Sequence, residues 1–227
     1  MATANKRLTR KQIRQPDWFQ VTTEKALEFY EQNQIKVLSG VAGVVVLLLG
    51  VWGWQAFKER QDIAAAQDFT RAISLYQSEK YPDAILEFQK VQAYRWSHYS
   101  ALAHLYEANS SLAIHELDKA IASAQRFIAA TRPNSLYRQM GLLALASAEE
   151  RKDECKQAVG HYSEAEKIKA ALRDRAILGK ARCSEQIGDT KAAGAAYKEY
   201  LKDNPDSPLA VRLAELEAKT AGQPATN

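Results

Sequence analysis

Alanine recurs at a nearly constant interval along most of the chain, and this repetition constrains the fold more than any other feature. One set of alanines is separated by 36, 38 and 35 residues: Ala84, Ala120, Ala158 and Ala193. Another alanine lies twelve residues before each of them: Ala72, Ala108, Ala146 and Ala181. A large apolar residue lies fifteen residues before each: Phe69, Leu105, Leu143 and Leu178. Four positions after each alanine of the first set, the residues are Phe88, Ala124, Tyr162 and Tyr197. The pattern predicts a repeated helical unit.

Alanine at such positions lets two antiparallel helices approach closely, and a large residue one turn away fills the space beside the contact. A helix-turn-helix unit of about 34 residues, with small residues at its eighth and twentieth positions, is typical of tetratricopeptide repeats. The chain resembles this family over residues 62–206. It lacks the family's tryptophan at the fourth position, and its longer intervals predict longer turns. The alternative is an unrelated alanine-rich helical bundle.

After the last repeat, apolar residues return at helical spacing in LAVRLAELEAK, as Leu209, Leu213 and Leu216. A helix with a polar outer side commonly covers the exposed end of a repeat array. The fold class is therefore expected to be all-α, with one transmembrane helix, about four tetratricopeptide-like hairpins in an α-solenoid, and a carboxy-terminal capping helix. The expected segments are a basic tail (1–35), a transmembrane helix (36–58), the repeats (59–220) and a flexible end (221–227).

The transmembrane helix is predicted from residues 37–57, which read VLSGVAGVVVLLLGVWGWQAF and carry no formal charge. At about 1.5 Å per residue this run reaches the roughly 30 Å of a bilayer's hydrocarbon core. Lys36 and Lys58 bracket it, and Trp52 and Trp54 lie near one end, where indoles favour the headgroup region. A buried core helix and a cleaved signal peptide are the alternatives. The distance from the amino terminus and the charged segment that follows disfavour cleavage.

The orientation of the span follows from its flanking charges. Residues 1–36 contain seven Lys and Arg against four Asp and Glu, whereas the first residues after the span are nearly balanced. The positive-inside rule places the amino terminus in the cytoplasm and the repeats outside it. Residues 17–33 are expected either to lie along the membrane as an amphipathic helix or to extend the spanning helix.

The sequence offers little that indicates chemistry. His98, His104, His115 and His161 do not have metal-ligand spacing, and no phosphate-binding glycine loop or nucleophile motif is present. Glu149, Glu150 and Glu154 are expected on a solvated helix face. With the net charge of +4 mostly before the span, the repeats are nearly neutral, which disfavours nucleic acid as a partner. We therefore expect no enzyme activity and no cofactor.

The two cysteines fall on neighbouring helices of the repeat frame. Cys155 would begin the second helix of the third repeat, and Cys183 would lie late in the first helix of the fourth. Antiparallel packing would bring them together, which permits a disulfide if the repeats lie outside the cytoplasm. Two buried free thiols are the alternative.

The segment FYEQNQIKVLSGVAGVVVLLLGVWGWQAF, followed by an alanine-rich helix, resembles the YfgM type of bacterial protein. The shared features are the pair Phe29-Tyr30, the run from Asn33 to Lys36, a glycine-studded span and Gly53-Trp54. That family is an ancillary, single-span subunit of the SecYEG translocon. The resemblance implies an inner-membrane protein with its repeats in the periplasm and a membrane-anchored prolyl-isomerase-like chaperone as partner. The basic tail is longer than is usual in that family.

Binding without turnover is the function expected of such an array, through a groove lined by the first helix of each repeat. Candidate lining residues on the repeat frame are Tyr76, Tyr106, Asn109 and Arg182. The leading hypothesis is a protein-binding scaffold or chaperone accessory at the translocon. The alternatives are an assembly scaffold for another envelope complex and a regulator that acts through its cytoplasmic tail.

Overall fold

The structure, a computed structural model, describes residues 18–221, and within this range all regular secondary structure is α-helical. Ten helices lie within residues 18–221: α1 Trp18–Gln32, α2 Gln34–Gln77, α3 Tyr81–Gln92, α4 His98–Ala113, α5 Leu117–Ala129, α6 Leu136–Arg151, α7 Cys155–Lys167, α8 Arg173–Gln186, α9 Thr190–Asp203 and α10 Leu209–Ala221. Residues 1–17 of the predicted basic tail and residues 222–227 of the predicted flexible end lie outside the described residues. The chain divides into two units, Met1–Phe57 and Lys58–Asn227.

The first unit contains α1 and the apolar part of α2. An 18-residue window of α2 has a mean hydropathy of 2.2, and none of this window is buried by the rest of the protein. The helix is therefore long and apolar enough to cross a membrane. A core helix of similar composition would be covered by other elements. α1 and α2 are separated at Asn33, so the segment before the span is a helix of its own.

The second unit consists of four helical hairpins and a final helix. The part of α2 from Lys58 onward pairs with α3, α4 pairs with α5, α6 with α7, and α8 with α9, while α10 packs on α9. This confirms the all-α fold with a long apolar helix followed by helical repeats.

The repeated alanines form the contacts between the paired helices. All eight alanines of the two sets are at most 2% exposed. Ala72 packs with Ala84 and Phe88 in the first hairpin, and Ala181 packs with Ala193 and Tyr197 in the fourth. A larger side chain at these positions would separate the helices, because the backbones approach where only a methyl group stands between them.

The turns inside the hairpins are short and share one backbone conformation. Each has three residues, and its middle residue has a positive φ: Glu79 (59°), His115 (61°), Asp153 (63°) and Gly188 (79°). A left-handed residue ends a helix by turning the chain out of the helical path. The extra length of the repeats lies instead between hairpins, where the connections span 93–97, 130–135, 168–172 and 204–208.

The connection between the third and fourth hairpins is held by one buried amide. Gln139 is 0% exposed; its Nε2 donates to the carbonyl oxygens of Ala165 (3.0 Å) and Ile168 (2.9 Å), and its Oε1 accepts from the backbone N–H of Leu172 (3.1 Å). Each carbonyl also accepts a backbone N–H, that of Ile168 at Ala165 and that of Ala170 at Ile168, so Gln139 adds a second hydrogen bond to both. The start of α8 is thereby fixed against α6.

Candidate protein-binding groove

The first helices of successive hairpins contact each other and form one side of the repeat unit. α4 contacts α6 and α6 contacts α8, whereas the successive second helices α3, α5, α7 and α9 make no such contacts with one another. A cavity of about 170 Å³ lies along this side. Its lining residues are Leu105, Asn109, Leu112, Met140, Leu143, Ala144, Ser147, Leu172 and Arg175. We call this surface the groove.

The groove continues toward the fourth hairpin. A second cavity of about 190 Å³ shares Leu143, Ser147 and Arg175 with the first and adds Tyr162, Leu178 and Arg182. Shared lining residues make the two cavities parts of one surface. The groove therefore crosses α4, α6 and α8.

Most lining residues are apolar, and only some of the polar ones have hydrogen-bond partners within the protein. The hydroxyl of Ser147 lies 3.3 Å from that of Tyr162. Asn109 and Arg175 make no side-chain hydrogen bond or ion pair within residues 18–221. Since Arg175 is exposed, its guanidinium can hydrogen-bond a carboxylate without first breaking an internal ion pair. Apolar side chains interspersed with an unpaired amide and an unpaired guanidinium suit a polypeptide segment that carries apolar and acidic side chains.

A hydrogen-bonded triad forms the end of the groove at the fourth hairpin. Arg182 binds Glu150 with two hydrogen bonds (2.8 and 3.0 Å), and the hydroxyl of Tyr162 donates to the same carboxylate (2.5 Å). Burial disfavours the charged form of Glu150, but the bonds from Arg182 and Tyr162 outweigh it and lower the pKa of Glu150. Burial, together with Glu150, raises the pKa of Tyr162 to about 12. Arg182 therefore links α8 to α6 through hydrogen bonds.

The same arrangement occurs one repeat later. Tyr197 donates to Glu185 (2.6 Å), and Arg212 of α10 also binds this carboxylate. The bonds from Arg212 and Tyr197 lower the pKa of Glu185 against the effect of burial. Glu150 and Glu185, like Tyr162 and Tyr197, are equivalent positions 35 residues apart. These contacts connect each hairpin to the next element in the array.

Two of the four predicted lining residues lie elsewhere. Tyr76 and Tyr106 face each other edge to face, with ring centroids 5.4 Å apart, and Tyr106 also stacks on Phe88 at 5.5 Å. Phe69 lies 5.6 Å from Tyr106 in the same cluster. Their rings therefore pack the first hairpin against α4. Neither lines the two cavities of the groove, whereas Asn109 and Arg182 do.

Met140 and Arg175 line the groove but were not among the predicted lining residues. Each lies six residues before an alanine of the repeat, Ala146 for Met140 and Ala181 for Arg175. The repeat pattern could therefore have identified both as lining residues, because residues at equivalent positions of the first helices face the same side.

The cysteines lie together where hairpins three and four meet. Cys155 begins α7 and Cys183 lies in α8; their Cα atoms are 5.0 Å apart, their sulfur atoms are 2.17 Å apart, and both side chains are buried. The Cα separation is within the range that a disulfide requires.

The buried acidic residues of the array serve packing. Glu149 is 2% exposed, and its carboxylate lies 2.7 Å from Nδ1 of His161, an interaction that raises the pKa of His161 against the effect of burial. The expectation that Glu149 and Glu150 lie on a solvated face is wrong, because both carboxylates are paired between helices. No cluster of three or more potential metal ligands is present in the part of the chain that the structure describes.

The profile of one protein family, described as a tetratricopeptide repeat-like domain, matches residues 27–218. No curated protein matches the chain in a sequence comparison. The family match covers most of the chain and includes all four hairpins and most of α10. The protein therefore belongs to the tetratricopeptide repeat-like domain family.

Proposed function

We propose that this protein is a membrane-anchored protein-binding scaffold, or chaperone accessory, that acts beside the Sec translocon. The observation that carries the binding role is the groove with the unpaired side chains of Asn109 and Arg175 among apolar residues. Stacked helical hairpins act by holding partner polypeptides, typically without catalysis. The groove would take a segment of a partner that presents apolar side chains and a carboxylate to Arg175.

The anchor would be the apolar part of α2, inserted in the bacterial inner membrane. Its length, its hydropathy and the absence of cover over it support this assignment. The lysines and arginines that precede the span support a cytoplasmic amino terminus and a periplasmic repeat domain. The buried cysteine pair fits an oxidising compartment.

The translocon assignment rests on the resemblance of the segment around the span to YfgM-type proteins. In this role the repeats would hold a periplasmic prolyl-isomerase-like chaperone, or an emerging client, near the membrane. Because no active-site chemistry is needed, the protein would contribute by raising the local concentration of its partners.

Affinity purification of the full chain in mild detergent tests the proposal. SecYEG subunits and a prolyl-isomerase-like chaperone should copurify with the wild type. The variant Arg175→Glu should lose partners held in the groove, since it would repel an acidic segment. Arg126→Glu, an equal charge change at an exposed position of α5, is the matched control and should retain them.

The outcomes separate the parts of the proposal. Recovery of another envelope complex without SecYEG would refute the translocon assignment but not the binding role. Equal recovery with both variants would refute the groove as the binding surface. Labelling of a cysteine placed in the tail by a membrane-impermeant reagent, in cells permeable only at the outer membrane, would refute the proposed orientation.

A further inference from the structure

A second pocket lies at the corner formed by α4, α5 and α6, and it shares no lining residue with the groove. It has a volume of about 590 Å³, larger than either cavity of the groove. Its lining residues are His98, Ala101, Leu102, Phe127, Ala130, Thr131, Arg132, Ser135 and Tyr137. We call it the corner pocket. Its volume falls within the range that ligand sites usually have, roughly 300–1,000 Å³.

The floor of the corner pocket is apolar and its edge exposes large side chains. Ala101 and Leu102 of α4 line it together with Phe127 of α5. At the edge, Tyr137 is 54% exposed and its neighbour Leu136 is 44% exposed. Exposed apolar side chains beside an apolar pocket indicate that water is readily displaced there by another apolar group.

The charge of the corner pocket has one sign. No Asp or Glu lines it, whereas Arg132 does. Arg132 makes no side-chain hydrogen bond or ion pair with any residue in the described part of the chain. His98 lies 3.6 Å from Asp62, so its ring already faces a carboxylate, which leaves Arg132 as the uncompensated charge.

Helix ends of both signs lie at the corner pocket. The amino termini of α4, at His98, and of α6, after its N-cap Ser135, lie there, and so does the carboxyl terminus of α5, at Ala130. The dipole at an amino terminus favours an anion and the dipole at a carboxyl terminus opposes it. The guanidinium of Arg132 therefore determines the charge preference beside the apolar floor.

We propose that the corner pocket is a second protein-binding site, which takes a large apolar side chain of a partner segment while Arg132 binds a carboxylate next to it. The apolar floor provides the site for the side chain, and charge complementarity selects the acidic neighbour. With two separate sites, one copy of the protein can hold two segments at once, so the array can join two partners.

The test uses the full chain in neutral maltoside micelles and three fluorescein-labelled octapeptides. Each has glycine and serine around a central pair, which is Phe-Glu, Phe-Lys or Ala-Glu. Fluorescence anisotropy should show that the Phe-Glu peptide binds at least about tenfold more tightly than the other two, in titrations up to about 1 mM. Ala101→Trp fills the pocket, and Arg132→Glu reverses its charge; each should weaken Phe-Glu binding at least about tenfold.

Two variants keep the result interpretable. Arg132→Glu is at an exposed position and should leave the circular dichroism spectrum unchanged, so a loss of binding would not reflect misfolding. Arg132→Glu should also bind the Phe-Lys peptide better than the wild type does. The titrations are repeated in an Arg175→Glu background, which by the proposed function keeps acidic segments out of the groove, and Phe-Glu binding at the corner pocket should remain there.

Absence of binding, equal binding of the three peptides, or binding that Arg132→Glu does not weaken would overturn the proposal. So would Phe-Glu binding that is lost in the Arg175→Glu background, because it would assign the peptide to the groove. Self-association of the chain that disappears in Ala101→Trp would assign the pocket to a second copy and would also overturn it.

Discussion

Gly179 of α8 packs directly against the ring of Tyr162, and substituting it tests the arrangement of the third and fourth hairpins. A Cβ atom at this position would lie 2.3 Å from Cε1 and Cζ of the Tyr162 ring, far inside van der Waals contact. The ring cannot easily move away, because Tyr162 is 1% exposed and its hydroxyl binds Glu150. Gly179→Ala therefore forces the helices apart.

The expected magnitude combines two opposing effects. Overpacking typically costs about 1–3 kcal/mol, and so short a contact belongs at the upper end. Replacing glycine by alanine within a helix gains up to about 1 kcal/mol. Gly179→Ala should thus lower the free energy of unfolding by about 2 kcal/mol.

Gly160→Ala in α7 is the matched control, because a Cβ at Gly160 would meet no atom within 4 Å. It should raise the free energy of unfolding by up to about 1 kcal/mol. The two variants should therefore differ by about 3 kcal/mol in urea denaturation of the full chain in micelles, followed by far-ultraviolet circular dichroism. Equal effects of the two substitutions would refute the close contact.

A double-mutant cycle identifies the partner. In a Tyr162→Ala background the ring is absent, so adding Gly179→Ala should become stabilising. If Gly179→Ala remains as destabilising without the ring, the cost arises elsewhere and the proposed packing is wrong.

Three further predictions concern stability. If Cys155 and Cys183 form a disulfide, reducing it should lower the free energy of unfolding by about 3–4 kcal/mol, because the bridge spans 28 residues; non-reduced peptide mapping that finds only separate thiols would contradict the bridge. Surrounding hydrogen bonds lower the pKa of the buried Glu107 to about 2 against the effect of burial. Its charge thus contributes stability above about pH 4.5 that is lost as the pH falls toward 2, and Glu107→Gln should flatten that part of a pH–stability curve. Glu79→Gly should stabilise by about 1 kcal/mol because Glu79 has a left-handed backbone, whereas Gly188→Ala should destabilise; equal thermal melts would contradict both.

The fold could be predicted from the sequence because its determinants are local and repeated. The alanines fix where helices pair, and a repeating interval fixes which helices are equivalent. The cap of α9 is equally local, because the Asp189 side chain accepts from the backbone N–H of Ala192 three residues later. Such signals depend only on neighbouring residues and on the period.

Side chains that pair across hairpins were not predictable in this way. Glu150 is one of two adjacent glutamates late in α6, and nothing near it in the chain indicates that Arg182, 32 residues later, binds it. Tyr106 fits a surface position by spacing alone, but the aromatic residues of the first hairpin draw it into a cluster. Which side chains pair across hairpins depends on how the helices pack, and the repeat interval does not specify that packing.

The central claim, that the protein works by holding other proteins in the groove, is tested most directly by photocross-linking in cells. A photoreactive amino acid in place of Asn109 should cross-link a defined partner, whereas the same amino acid at Gln125, exposed on α5, should not. Cross-links of equal yield from both positions, or none from Asn109, would contradict the claim.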